Sequence, residues 1–345
     1  MSNINPITSP RITSYQQIAL PLAVASLNPT ADKWIFSNYI QVSCVNREHY
    51  LTCCNEDNSL HYSFYNPEIT FPEPADHICI QGGEQLFMFD NFKYIKWIID
   101  EGWYIYTDAD MYFINGSDAF NSYHYSHDML IYGYDDDDLL IYMYGNSKLE
   151  KHIVSINNFK KGYFSKYCKE DVYRNRAILF KDNEKEFDYN IEKIRWHMHD
   201  YLNGTETFAR ERPNVFNPDS LTMQGVNTYD EFISLLDYAI EGQDKVLRKS
   251  DLYCFYEHKE VMFDRVNALK DDDVLEADDD LITRFENIKN MAQTFLLSGL
   301  KVARMRSVEN KNATLIHMKS LLNDIKLAEI SAWTDYISEN KELLG

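Results

Sequence analysis

Two runs rich in aromatic and β-branched residues, Met129 to Tyr134 and Leu139 to Tyr144, are separated only by the acidic stretch Asp135 to Asp138. Such a pair satisfies its backbone by folding back as an antiparallel hairpin closed by the acids. A third run of the same character, Trp103 to Ile114, precedes them and extends the predicted sheet. Ahead of it, apolar residues between Glu84 and Asp100 recur at helical spacing (Leu86, Phe87, Phe89, Phe92, Ile95, Ile98, Ile99). They stop before Gly102, a residue suited to a helix C-terminus. Residues 1–90 mix short strand-like runs with turn chemistry and read as irregular α+β.

From Asp230 onward the strand signals fade. The segments 229–241, 250–269, 278–304 and 312–340 carry apolar positions at a 3.6-residue period, which predicts a helical bundle. Residues 165–225 hold few clean periods, many charges, and Pro213 and Pro218. The expected class is therefore α+β, with a domain over 1–165, a connecting segment over 166–225 and a helical region over 226–345. The acid runs Asp271 to Asp273 and Asp278 to Asp280 read as solvated helix ends, the second favourably near a helix N-terminus.

The formal charge of −20, from 54 acids against 34 bases, argues against a nucleic-acid or anionic-membrane binder, whose affinity rests on clustered Lys and Arg. The early apolar run Ile18 to Leu27 is interrupted by Pro21 and follows a leader that is not strongly basic, so no signal peptide is expected. No window reaches the roughly 20 apolar residues that span a bilayer. Six scattered cysteines without a CxxC pair point to reduced thiols in a cytoplasmic setting.

Chemistry concentrates where a strand carrying Asp108 and Asp110 is followed by His127-Asp128-Met129-Leu130-Ile131-Tyr132-Gly133-Tyr134-Asp135. A histidine at a strand start, oriented by an acid or amide, is the base half of a Cys/His device. The pattern over residues 95–145 resembles the N-terminal domain of the butirosin-biosynthesis protein H family. That resemblance implies a papain-like (cysteine-peptidase-like) domain with an antiparallel sheet. It also implies cysteine-dependent transfer of an acyl group from an acyl or peptidyl carrier protein to a small amine acceptor in natural-product biosynthesis, without metal or organic cofactor. His127 matches the family histidine, Gly133-Tyr134-Asp135 its turn, and Asp110 the acid of the preceding strand. Where the family places an orienting aspartate this chain has Tyr144-Gly145-Asn146, and the amide of Asn146 is the candidate substitute.

The family nucleophile is a cysteine that opens an N-terminal helix, and the sequence offers no clear equivalent. Cys44 is the preferred thiol, with Gln41 as a candidate oxyanion donor; Cys53, Cys54, Cys79 and Ser37 are the alternatives. Two other readings use the same residues. Asp108-x-Asp110 also resembles the metal-binding acids of glycosyltransferases, with His127 as a further ligand. Loss of the nucleophile would leave a non-catalytic binding protein of the same fold. A zinc site from His124, His127 and Asp110 is disfavoured, because histidines three apart on a strand point to opposite faces. His258 reads as structural, and Lys160, Lys161, Lys166, Lys169, Arg174 and Arg176 form a candidate surface for an acidic carrier protein.

Overall fold

The computed structural model describes residues 2–45, 62–64, 71–81, 92–145, 148–169, 176–207, 222–242 and 248–345. Through the first half run β1 (Ser2–Ile4), α1 (Gln16–Ala25), α2 (Ala31–Asn38), β2 (Val42–Val45), β3 (Ser63–Phe64), β4 (Ala75–Gln81), α3 (Phe92–Asp100), β5 (Tyr104–Asp110), β6 (Ser126–Asp135), β7 (Asp138–Gly145), β8 (Lys148–Ser155) and α4 (Ile156–Tyr163). The second half holds α5 (Lys166–Lys169), β9 (Arg176–Asp182), α6 (Ile191–Asn203), β10 (Thr222–Gln224), α7 (Thr228–Ile240), α8 (Lys249–Asp271), α9 (Asp279–Val302), α10 (Val308–Glu339) and α11 (Lys341–Leu344). The chain is α+β, with an antiparallel sheet and a helical C-terminal region. It forms two compact units, one of Met1–Asp32 with Glu68–Phe187, the other of Lys33–Pro67 with Asp188–Gly345.

The first unit is built on a sheet in the order β4-β9-β5-β6-β7-β8, with β1 pairing the far end of β6. The hairpin read from the sequence is present. Asp135 pairs with Asp138, and Asp136 in the two-residue turn takes a φ of 48°, the left-handed conformation that aspartate tolerates better than most residues. Residues 176–182, read from the sequence as part of a connecting segment, instead form β9 in the middle of the sheet, between β4 and β5. Ala177 to Phe180 are all buried, so this strand shows a short continuous apolar run in place of alternation.

Ile105, Ala109, Met129, Ile131, Ile141 and Met143 pack with Ile95, Ile98 and Ile99 of α3 and with Phe159 of α4 in one core cluster. Each fully buried aliphatic side chain contributes about 1.5–3 kcal/mol. Helix α1 is apolar on nearly every side and lies against β5, β6, β7 and β9, as a helix without a polar face must. At the end of β7, a Cβ on Gly145 would stand 2.5 Å from the Gly116 carbonyl oxygen and 2.6 Å from Nε2 of His152. Gly145→Ala should therefore cost about 1–3 kcal/mol through forced backbone movement. Urea unfolding reads that loss, and an unchanged midpoint would contradict it.

The second unit joins a small sheet, β10-β2-β3, to the helices α6 to α11. Asp278 caps α9 by accepting from the Leu281 amide, with Asp279 and Asp280 in the first turn, where the helix dipole favours acids. Arg265, fully buried, donates to the carbonyls of Phe36 (2.5 Å) and Tyr39 (2.6 Å) at the end of α2. Burial lowers its pKa to about 9. Deeper still, Lys259 donates to both oxygens of Glu329 (2.8 and 3.0 Å), while the Tyr201 and Tyr229 hydroxyls donate to the same carboxylate (2.6 and 2.7 Å). No helix among the described residues is long and apolar enough to cross a membrane.

Candidate functional site around His127

β6 and β7 pair as far as Leu130 with Tyr142. Two residues further, where Asp128 would face Tyr144, the side-chain amide of Gln16 enters the gap. Its Nε2 donates to the Asp128 carbonyl oxygen at 2.7 Å, and its Oε1 accepts from the Tyr144 amide. A carboxamide has the donor and acceptor of a peptide group, so it splices the ladder where the strands part. Gln16 is the first residue of α1 and is 4% exposed. It is held there because α1 lies across the sheet with its N-terminus at this gap.

The same amide nitrogen lies 2.5 Å from Nδ1 of His127 and 2.9 Å from Oδ1 of Asp128. Nδ1 of His127 stands 2.5 Å from Oδ1 of Asp128, and the Asp128 backbone N–H donates to the same ring nitrogen at 3.0 Å. Oδ2 of Asp128 accepts from the Tyr106 hydroxyl at 2.7 Å. Burial works against charge on the ring, yet the hydrogen bond and charge of Asp128 outweigh it and hold the His127 pKa above its ordinary value. Asp128 is the mirror case. Burial raises its pKa, but the hydrogen bond and charge of His127, with the Tyr106 and Gln16 hydrogen bonds, hold it below the usual carboxylate value. Nε2 of His127 makes no hydrogen bond among the described residues. An open pocket of about 300 Å³ adjoins the ring, lined among others by Gln16, Met111, Asp118, Tyr123, Tyr125 and Tyr144.

Asp110 belongs to a second, separate cluster. Its buried carboxylate takes His124 Nδ1 at 2.7 Å and the Ser165 hydroxyl at 2.6 Å on one oxygen, and the amides of Tyr112 and Tyr125 on the other. Burial raises its pKa, but these four hydrogen bonds together hold it below the ordinary value. The His124 ring is stacked between Tyr112 (4.4 Å) and Tyr167 (4.2 Å). His124 and His127 thus have different carboxylate partners. With both oxygens of Asp110 engaged, little is left to grip a cation. Among the described residues no three His, Cys, Asp or Glu side chains converge as a metal site.

The other sequence candidates have surroundings of their own. Cys44, on β2 opposite Met223, belongs to the second unit and is 1% exposed. Burial, then the charges of Glu231 and Asp251, push its thiol well above the ordinary value, the condition of an inert thiol. Gln41, also in the second unit, is fully buried and donates to Thr205 O (3.0 Å) and Thr207 Oγ1 (3.1 Å), while its own oxygen accepts from Val42. Ser37 donates to the Lys33 carbonyl. Within the first unit Cys79 is exposed on β4 and Cys168 is buried, with the Ser126 hydroxyl 3.6 Å from its sulfur. Asn146, Cys53, Cys54 and Arg174 lie outside the described residues. His258 is buried against the Ile40 carbonyl, and burial followed by the charge of Lys259 drives its pKa well below the ordinary value.

Gln16, Asp128, Tyr106 and Tyr144 were not singled out by the sequence. For Asp128 a signal existed, an acid directly after the matched histidine. A glutamine at the head of an apolar helix carries none. No family model matches this chain, and no curated protein matches it either.

Proposed function

We propose that the first unit is a papain-like domain in which Gln16 stands where the nucleophile would, so that the chain binds a small acyl-bearing molecule without bonding to it covalently. The observation that supports this is the Gln16 amide, at the opening of the helix that meets His127, hydrogen-bonded at both ends into β6 and β7. The family resemblance puts a cysteine at the opening of such a helix. A carboxamide has no proton that imidazole can take and a delocalised nitrogen lone pair, so it cannot form an acyl-enzyme. What remains is recognition. A His127 ring whose protonated form Asp128 favours suits the carbonyl or carboxylate of an acyl group, and Tyr123 and Tyr125 offer apolar faces to its chain.

The test combines intact-mass analysis with calorimetry. Incubation with a short-chain acyl thioester should leave the protein mass unchanged, while the corresponding carboxylate binds. His127→Gln should weaken binding by about tenfold or more, as expected for loss of a charged hydrogen bond. Affinity for the carboxylate should hold through the ordinary histidine range, then fall as pH rises through the raised pKa of His127. Binding that is flat across that range, or untouched in His127→Gln, sinks the proposal.

The acyl-transfer reading is favoured by one observation, the His127–Asp128 pair itself, which is the equipment of a general base. It then needs a nucleophilic thiol, and a stable acyl adduct mapped to a wild-type cysteine would establish it in place of the binding reading. A carrier-borne acyl group would dock through Lys160, Lys161 and Lys166.

A further inference from the structure

Helix α10 has a buried apolar face and an exposed face without charge. The first carries Leu315, Met318, Leu322, Ile325, Trp333 and Tyr336 into the core of the second unit. The opposite face is marked by alternating steps of four and three residues through Ile316, Ser320, Asn323, Leu327, Ile330 and Thr334, none of them charged. Ile316 is 58% and Leu327 69% exposed. At 1.5 Å per residue this uncharged stripe runs for about 27 Å, on a chain with 54 acidic residues. A solvated stripe of that length normally carries charge, and alternating four and three is the spacing of a coiled-coil seam.

We infer that α10 is a homodimerisation helix, pairing in parallel with α10 of a second copy through this seam. Charge complementarity selects both the partner and the direction. Lys319 and Lys326 flank one side of the stripe and Asp324 the other. In a parallel pair the flanking position of Lys319 faces that of Asp324 in the second copy; an antiparallel pair sets the lysine-bearing flanks against each other. Asp324 makes no ion pair among the described residues, whereas Lys319 and Lys326 already bond Asp237 and Asp230 of α7. Those two pairs fix the lysine stems beside the seam. Asn323 is the polar seam residue, of the kind that fixes register by meeting its own counterpart.

Sedimentation of the full chain at micromolar concentrations should show a dimer. Leu327→Glu, at a site exposed in the single chain, should leave the fold intact by circular dichroism and weaken dimerisation by at least about tenfold. Asp324→Lys should weaken it in the same direction, more at low salt than at high salt. Under mild oxidation Asn323→Cys should cross-link to its own counterpart, beyond any link formed by the wild-type thiols, because only the parallel register places this residue opposite itself. A monomer at every concentration overturns the proposal, as does a dimer indifferent to Leu327→Glu. A dimer that Asp324→Lys strengthens, or that Asn323→Cys fails to cross-link, overturns the parallel pairing. Binding of a different protein to the stripe in preference to a second copy would equally overturn it.

Discussion

Replacing Glu329 with leucine is expected to destabilise the second unit by about 3–5 kcal/mol, the range for a buried ion pair that loses one partner. Lys259 and Glu329 have side-chain exposures of 0% and 1%, so an ammonium left behind there has no water to turn to. Tyr201 and Tyr229 would lose their acceptor in the same step, and each buried hydroxyl without a partner adds to the loss. Lys259 also lies 5.0 to 5.4 Å from the ring centres of Phe255, Tyr229 and Tyr201. Those contacts help a cation but do not replace its counterion. Already in the wild type, burial lowers the Lys259 pKa while Glu329 pulls it back up. Without Glu329 it should fall further. The folded state would then bind fewer protons than the unfolded state up to the ordinary lysine value of 10.5. Stability should therefore rise with pH across that window, so the deficit should shrink as pH approaches 10.5. Urea melts at two pH values measure both effects. Combining Glu329→Leu with Lys259→Met should recover the part of the loss that comes from the orphaned charge, since an apolar pair removes it, while Tyr201 and Tyr229 stay without their acceptor. A single variant as stable as the wild type would show that the pair contributes nothing.

The elements that could be read from the sequence are those whose pattern is local. β5, β6 and β7 announce themselves by aromatic and β-branched runs around a two-residue acidic turn, and α7 to α10 by a sustained helical period. β9 did not, because a strand buried in mid-sheet shows four apolar residues in a row, a signal shared with a short piece of buried helix. Nor could the pairing of Cys44 with Met223 be read from either segment, and the sequence carried nothing about which unit Cys44 joins. His127 was legible because its strand is. Its orienting partner was sought at Asn146, which lies outside the described residues, and Asp128 reaches the ring from the next position in sequence. Side chains of adjacent strand residues ordinarily face apart, and the two meet here at the start of β6, where the pairing with β7 has given way to Gln16.

Gln16→Cys is expected to turn the pocket into a thiol site, and it sets the binding and transfer readings against each other most directly. The introduced sulfur would lie at the N-terminus of α1, two bonds short of the amide nitrogen that stands 2.5 Å from Nδ1 of His127. Helix N-termini and neighbouring histidines both stabilise thiolate and bring a cysteine pKa from about 8.5 down to roughly 3.5–7.5. At pH 6 a thiol so placed should be alkylated on the order of 10–10² times faster than an unperturbed one. Peptide mapping would place the modification at position 16, against a background from Cys79, which is exposed in the wild type. The substitution also removes the splice between Asp128 and Tyr144. Gln16→Ala measures that loss alone, at about 1–3 kcal/mol for two buried backbone groups left without their partner. Adding His127→Gln to the cysteine variant should return the alkylation rate to that of an ordinary thiol. With an acyl thioester, the Gln16→Cys protein should gain one acyl mass at position 16, where the wild type gains none. A folded variant whose new thiol stays inert at pH 6 would mean that the opening of α1 is not a nucleophile position, and the papain-like reading of the first unit would go with it.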